Sequence, residues 1–254
     1  MAEPIADDLR YRLLAAWHAG EGSLPELAQR FQVSAGWAAK IRQQQRRTGH
    51  VERVLQAAER ETAASQKRRA EYAAAIAAIA PERLVFLDES GVTTSMTRLY
   101  GRCEGGARIC EGTPGGRWSV LTILGALSID GVRAMMTIEA AAAGDVFRAS
   151  LTAVLAPRLK PGDVVVLDNL SARKVAGVRE TIGRCGARLL YLPPCSPDLN
   201  PIEKAWSKLK TLLRTAKARS NEALEAAIAS SLPALTANDA RAWFHHAGIA
   251  LQQV

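Results

Sequence analysis

At 254 residues, with 48% apolar and 23% charged side chains, the chain has enough material for one sizeable core plus a smaller module. No apolar run approaches the ~20 residues of a membrane span. The opening MAEPIADDLRYR predicts no secretory signal, so a reduced, cytoplasmic protein is expected. The net charge of +8 and a pI of about 9.6 point to a polyanionic partner, most often nucleic acid, although plain solubility produces the same balance. Cys103, Cys110, Cys185 and Cys195 lack C-x-x-C spacing and make neither a zinc site nor a disulfide framework. They are expected as small apolar fillers.

Residues 6–48 read as three short helices. Leu9, Leu13, Leu14 and Trp17 mark the apolar face of the first, and Gly20 and Gly22 end it. Ser23 caps the second with Glu26 in capping-box position, and Leu24, Leu27, Ala28 and Phe31 are its apolar residues. Ser34 caps the third, which holds Trp37, Ala38 and Ile41 inward and offers Lys40, Arg42, Arg46 and Arg47 to solvent. The tight turn, the caps and the basic last helix predict a helix-turn-helix that enters the major groove, its cations on phosphates. A three-helix bundle with a solvated basic face fits the same pattern. Residues 49–80 are a polar, Ala-rich helical connector whose Lys67-Arg68-Arg69 cluster either touches DNA or is simply solvated.

From Pro81 strands and helices alternate, which sets the organisation as 1–48, 49–80 and 81–254. Leu84 to Leu87 is a buried strand ending at Asp88. Trp118 to Ile129 and Val132 to Ile138 flank Asp130-Gly131 as a hairpin. Gly144 to Leu155 is a helix, Val164 to Leu167 a second buried strand ending at Asp168, and Val175 to Cys185 a helix. Arg188 to Leu192 is a third core strand, and helices near 221–232 and 237–247 close the chain. Three antiparallel strands followed by βαβαβ predict an α/β fold with a mixed sheet covered by helices. The Gly-rich stretch 103–117 reads as a flexible connection or a DNA-facing loop.

After the third core strand a loop carrying Pro193, Pro194 and Pro197 closes on Asn200-Pro201, read as an N-cap followed by proline at the first helical position. In the helix beyond, Ala205, Trp206, Leu209, Leu212, Leu213 and Ala216 share one face. Glu203, Lys210, Arg214 and Lys217 share another, so one carboxylate heads a basic stripe. Glu203 also suits a capping box with Asn200. Three prolines that fix where it points favour a further task.

Asp88 and Asp168 each follow four apolar residues at the carboxyl end of a predicted strand, where open α/β sheets place their sites. Each also suits a turn; Asn169 and Ser171 would support an Asx turn at Asp168. Glu89 points to the other side of an extended chain. If the two strands are neighbours, Glu203 can face both aspartates. Three carboxylates at one point repel unless a cation sits among them, and a pair of Mg²⁺ ions answers that need and suits phosphodiester chemistry.

The stretches Leu87-Asp-Glu-Ser90, Tyr100-Gly-Arg102, Val166-Leu-Asp-Asn-Leu-Ser171 and Pro194-Cys-Ser-Pro-Asp-Leu-Asn-Pro-Ile-Glu203, with 34 residues between Asp168 and Glu203, resemble the DDE transposases of bacterial insertion sequences in the branch related to mariner elements. The resemblance runs from about residue 82 to the end, and the helix-turn-helix matches the family's N-terminal module. It implies a ribonuclease-H-like catalytic fold with Asp88, Asp168 and Glu203 as catalytic and metal-binding residues for two Mg²⁺ ions, Mn²⁺ substituting. It implies cleavage at terminal inverted repeats, strand transfer to a TA target and a homodimer on double-stranded DNA, the protein then being nucleoid-associated. Asn169 and Asn200 would stand just behind the carboxylates, and Lys174, Lys204, Lys210 and Arg214 would lie on DNA.

Three features depart from the family pattern. The short connector stands where a second helix-turn-helix is usual, Arg173 replaces a frequent His, and Cys195 replaces an aromatic, read as a packing change. Two other readings stay open: a catalytically idle, decayed transposase acting as a sequence-specific DNA-binding protein, and a structure-specific nuclease on the same fold.

Overall fold

The computed structural model of the chain describes residues 7–48, 62–99, 110, 112, 116, 118–139, 144–168 and 177–251. It forms two compact units, Met1–Gln56 and Ala57–Val254.

In the first unit α1 (Asp7–His18), α2 (Leu24–Arg30) and α3 (Ala35–Thr48) close around Leu13, Leu14, Ala28, Ala38 and Ile41. The starts of α2 and α3 follow from their sequence. Ser23 donates its backbone amide and its hydroxyl to the Glu26 carboxylate at 2.7 and 2.8 Å, and Ser34 Oγ accepts the Trp37 amide at 3.1 Å. The turn between them puts Gln32 at φ 55, a left-handed conformation that costs a residue with a Cβ about 1 kcal/mol.

The second unit is built on a five-stranded sheet in the order β3-β2-β1-β4-β5. Its strands are β1 (Leu84–Thr93), β2 (Val120–Ser128), β3 (Gly131–Ile138), β4 (Val164–Leu167) and β5 (Arg188–Tyr191). β2 is antiparallel to β1 and β3, while β4 runs parallel to β1 and β5. This is the mixed sheet of a ribonuclease-H-like fold. Side chains alternate across it. Leu84, Phe86, Val164 and Val166 face α7 (Ile202–Ala216), α8 (Asn221–Ser231) and α9 (Ala237–His246). Val85, Leu87, Val165 and Leu167 face α5 (Gly144–Ser150), its continuation Leu151–Leu155, and α6 (Val178–Arg184). No described helix is long and apolar enough to cross a membrane.

Several boundaries differ from the sequence reading. β1 does not end at Asp88: β4 stops at Leu167, but β2 keeps pairing as far as Thr93 with Val120, so the strand runs on with one neighbour. The hairpin turn is Ile129-Asp130, and Gly131, at φ 118, already pairs with Ser128. The connector helix α4 (Ala63–Ala77) is not merely solvated. It buries Tyr72 and Ile76 in the core shared with α7–α9. Ala216, expected on the apolar face of α7, is exposed. Nor do the described cysteines fill the core, since Cys110 and Cys195 are exposed and Cys185 is half-buried. Cys103 and the loop 103–117, apart from 110, 112 and 116, lie outside the described residues, as do residues 169–176.

Phe244 on α9 is fully buried and meets Phe86 of β1 edge-to-face at 5.3 Å. Phe244→Ala is expected to lower stability by about 3–5 kcal/mol, read from urea unfolding, because it opens a cavity between sheet and helix. α9 is also tied at its start. The Lys208 ammonium at 2.7 Å, then the Thr236 hydroxyl and amide, hold the Asp239 carboxyl down from 3.8 to about 2. A lowered folded pKa stabilises above the ordinary value and is lost as pH falls through the lowered one. The stability gap between the wild type and Asp239→Asn should therefore persist at pH 5 and narrow towards pH 2.

Candidate active site

Strand periodicity decides where the first carboxylate goes. Asp88 has the parity of Leu84 and Phe86, so its side chain faces α7, and it is 6% exposed. The parallel register pairs Leu87 with Leu167, which brings Asp168 to the end of β4 beside it. Glu203 lies in the first turn of α7 and is exposed. The three carboxylates line one cavity of about 320 Å³, walled by Leu192, Pro193, Pro194, Cys195, Ser196, Pro197 and Asn200. The two aspartates are brought together by sheet register and the glutamate by the proline loop.

The helix start differs from the expected one. Asn200 does not cap α7; it closes the short turn Pro197–Leu199, and Pro201 takes the cap position. The Glu203 amide bonds instead to the Asn200 carbonyl at 3.2 Å, so no Asn200–Glu203 capping box forms. Cys195 stands at φ 53 at the rim of the cavity, exposed rather than repacked.

An arginine from the connector fixes this loop. Arg69 donates through Nη1 to Ser196 Oγ at 2.6 Å and Asp198 Oδ1 at 3.1 Å, and through Nη2 to Asp198 Oδ2 at 2.7 Å. Ser196 Oγ in turn donates to the Pro194 carbonyl at 3.0 Å. The fork geometry suits a carboxylate, and the Arg69 side chain is only 15% exposed. Sequence reading treated Lys67-Arg68-Arg69 as one cluster. The missed signal is helical spacing: position 69 shares the face of Tyr72 and Ile76, which are buried.

Among the described residues no three His, Cys, Asp or Glu side chains form a ready-made cation cage. The donor chemistry nevertheless fits a hard divalent cation. Beside the three carboxylates, the buried Asn200 points an Oδ1 that finds no hydrogen-bond partner among the described residues. Carboxylate and amide oxygens are the ligands such an ion prefers. Trp206, read only as an apolar residue of α7, also reaches the site: its Nε1 donates to Asp88 Oδ2 at 3.2 Å.

The basic residues divide. Lys210, two turns beyond Glu203, is half-buried, and burial lowers its pKa; the Glu203 and Asp88 charges partly offset this, so it stands near the acids. Lys204 is exposed and Arg214 half-exposed on the same helix, while Asn169, Arg173 and Lys174 lie outside the described residues. On α3, Lys40 and Arg46 are exposed, and the Arg47 side chain is not described. Arg42, expected to face solvent, is half-buried. Its guanidinium lies 4.4 Å from the centre of the Trp17 ring and packs α3 on α1 instead of pointing outward.

Comparison with known proteins follows the same lines. The chain resembles in fold a Mos1 transposase paired-end complex with left transposon end, at 16% identity and TM-score 0.62 over 96% of this chain and 77% of that one. A mariner Mos1 paired-end complex with Mg aligns at 15% identity and TM-score 0.60, over 98% and 79%. The catalytic domain of Mos1 mariner transposase aligns at 12% and 0.56, over 76% and 91%. No curated protein sequence matches the chain. The sequence profile of the DDE superfamily endonucleases matches residues 83–225, more than half of the chain and all three carboxylates, and the protein therefore belongs to the DDE superfamily endonuclease family.

Proposed function

We propose that the chain is a transposase of the mariner-related, insertion-sequence kind, cutting DNA at terminal inverted repeats and joining the freed end to a TA target. The observation that carries this reading is the opening of Asp88, Asp168 and Glu203 onto one cavity in a chain of this family. Structures of the similar Mos1 protein with Mg, with Mn and after strand transfer support the choice of metal and substrate. A cytoplasmic, DNA-associated location goes with it, and the need to hold two ends favours a homodimer on DNA.

In this reading Asp88, Asp168 and Glu203 hold two divalent cations, with the Asn200 amide oxygen behind them. When bound, the metal pair supplies activation of the attacking oxygen and stabilisation of the leaving one at phosphorus. The chain's own part is positional. The sheet fixes Asp88 and Asp168 at neighbouring strands, while Arg69 and the prolines hold the loop that presents Glu203. Lys210, two turns along the same face of α7, offsets part of the acid repulsion. Lys204 and Arg214 on α7 and Lys174 beyond β4 would meet phosphates near the cut. Lys40, Arg46 and Arg47 on α3 would meet them in the helix-turn-helix of residues 1–48.

A second reading, a catalytically idle DNA-binding protein, rests on one observation. Only residues 49–62 separate α3 from α4, too few for the second helix-turn-helix that the resemblance leads one to expect there. A labelled duplex carrying the element end, incubated with Mg²⁺ or Mn²⁺ against EDTA, separates the two. Metal-dependent cutting that falls to background in Asp168→Asn and Glu203→Gln, with melting temperature unchanged, is the expected result. Wild-type binding without any cut would leave only the second reading.

The loop clamp makes its own prediction. Arg69→Ala should slow cleavage, by up to about 10²-fold if Glu203 shifts by an ångström, with DNA affinity retained. The exchange Arg69→Asp with Asp198→Arg should recover part of the rate, which cleavage assays of the single and double variants will read.

A further inference from the structure

We infer that Trp206 is a positioning residue for Asp88, and that Gly125 is the site on the sheet that admits its ring. The inference rests on the metal-dependent reading of the same cavity. Trp206 is 3% exposed and Asp88 6%, so their 3.2 Å contact is sheltered from solvent, where a hydrogen bond to a carboxylate is strong. An indole has a single donor and no acceptor, so this bond can form with only one orientation of the ring. It engages Oδ2 and thereby sets the plane in which the carboxylate presents its oxygens to a cation. Groups that hold a metal ligand in this way ordinarily change metal affinity or activity 10- to 100-fold when removed.

The neighbouring strand supports the same role. Register places Gly125 of β2 directly across from Asp88. A Cβ built at Gly125 would stand 2.5 Å from Trp206 Cη2, closer than real Cβ contacts come, and a tight 3.2 Å from Cζ2. Backbone conformation does not call for a glycine here: position 125 has no positive φ, and the register shift of β2 against β3 falls beyond it, between Ala126 and Leu127. What calls for it is the indole, which needs the space above the strand to bring Nε1 to the carboxylate. A phenylalanine at 206 would fill the apolar pocket but carry no donor. Packing of the ring accounts for the bare strand position beneath it, but not for an indole N–H aimed at an acid.

The test uses the full chain and Mn²⁺ as the probe. Mn²⁺ binding by calorimetry and the Mn²⁺ dependence of cleavage are compared in the wild type, Trp206→Phe and Gly125→Ala, with duplex affinity as a control. The expected result is a loss of about tenfold or more in Mn²⁺ affinity in both variants, with DNA binding held. A second measurement does not depend on those two variants folding. The wild-type Trp206 indole N–H resonance should broaden with Mn²⁺ ahead of the other tryptophans, and it should move in the Asp88→Asn protein. Trp206→Phe matching the wild type in Mn²⁺ affinity, or an indole resonance indifferent to Asp88→Asn, would overturn the inference while leaving the transposase reading intact. A wild type that neither binds Mn²⁺ nor cuts removes that reading and this inference together.

Discussion

The short parallel pairing of Leu84–Leu87 with Val164–Leu167 is the constraint on which the rest of the second unit depends. Four residues on each side, all apolar, are buried on both faces of the sheet, and burial by helices on both sides is what stabilises so short a pairing. The pairing ends where the side chains change from leucine to aspartate. Two carboxylates are thus held side by side by hydrophobic burial, against their mutual repulsion. The energy that sets the acids together comes from core residues and not from the acids themselves.

Around that fixed pair the third carboxylate is held differently. Glu203 is exposed and owes its place to a loop, and the loop owes its shape to prolines and to one arginine from the connector. Asp88 is therefore part of the sheet and Asp168 follows directly from it, while Glu203 opens a helix that Ile202, Ala205 and Leu209 anchor in the core and that a polar-clamped loop leads into.

The sheet, its helical covers and the acid triad were legible because they rest on local patterns: four-residue apolar runs, an Asp at the end of each, and a proline-rich loop before an amphipathic helix. Contacts across the fold were not. Asn200 reads as a cap from its neighbours alone, and only the tertiary structure shows it turned into the cavity with Pro201 in its place. Arg42 carries the charge of a DNA contact but stacks on Trp17, because a ring lies within reach on α1. Gly125 gives no signal in a strand of apolar residues until the indole above it is seen. Sequence pattern reports which face a residue takes, and it is silent about which partner waits there.

The contacts that complete the site also have a temporal meaning. Trp206 reaches Asp88 across 118 positions, and Arg69 reaches Asp198 across 129. Contacts so distant in sequence are made late, since the chain entropy of closing the intervening loop must be overcome first. The β1–β2–β3 meander can form while α7 is still unmade, and the loop and helix that bring Glu203 and Trp206 follow every strand of the sheet. A chain stopped before α7 therefore has a sheet whose acids are not yet gathered.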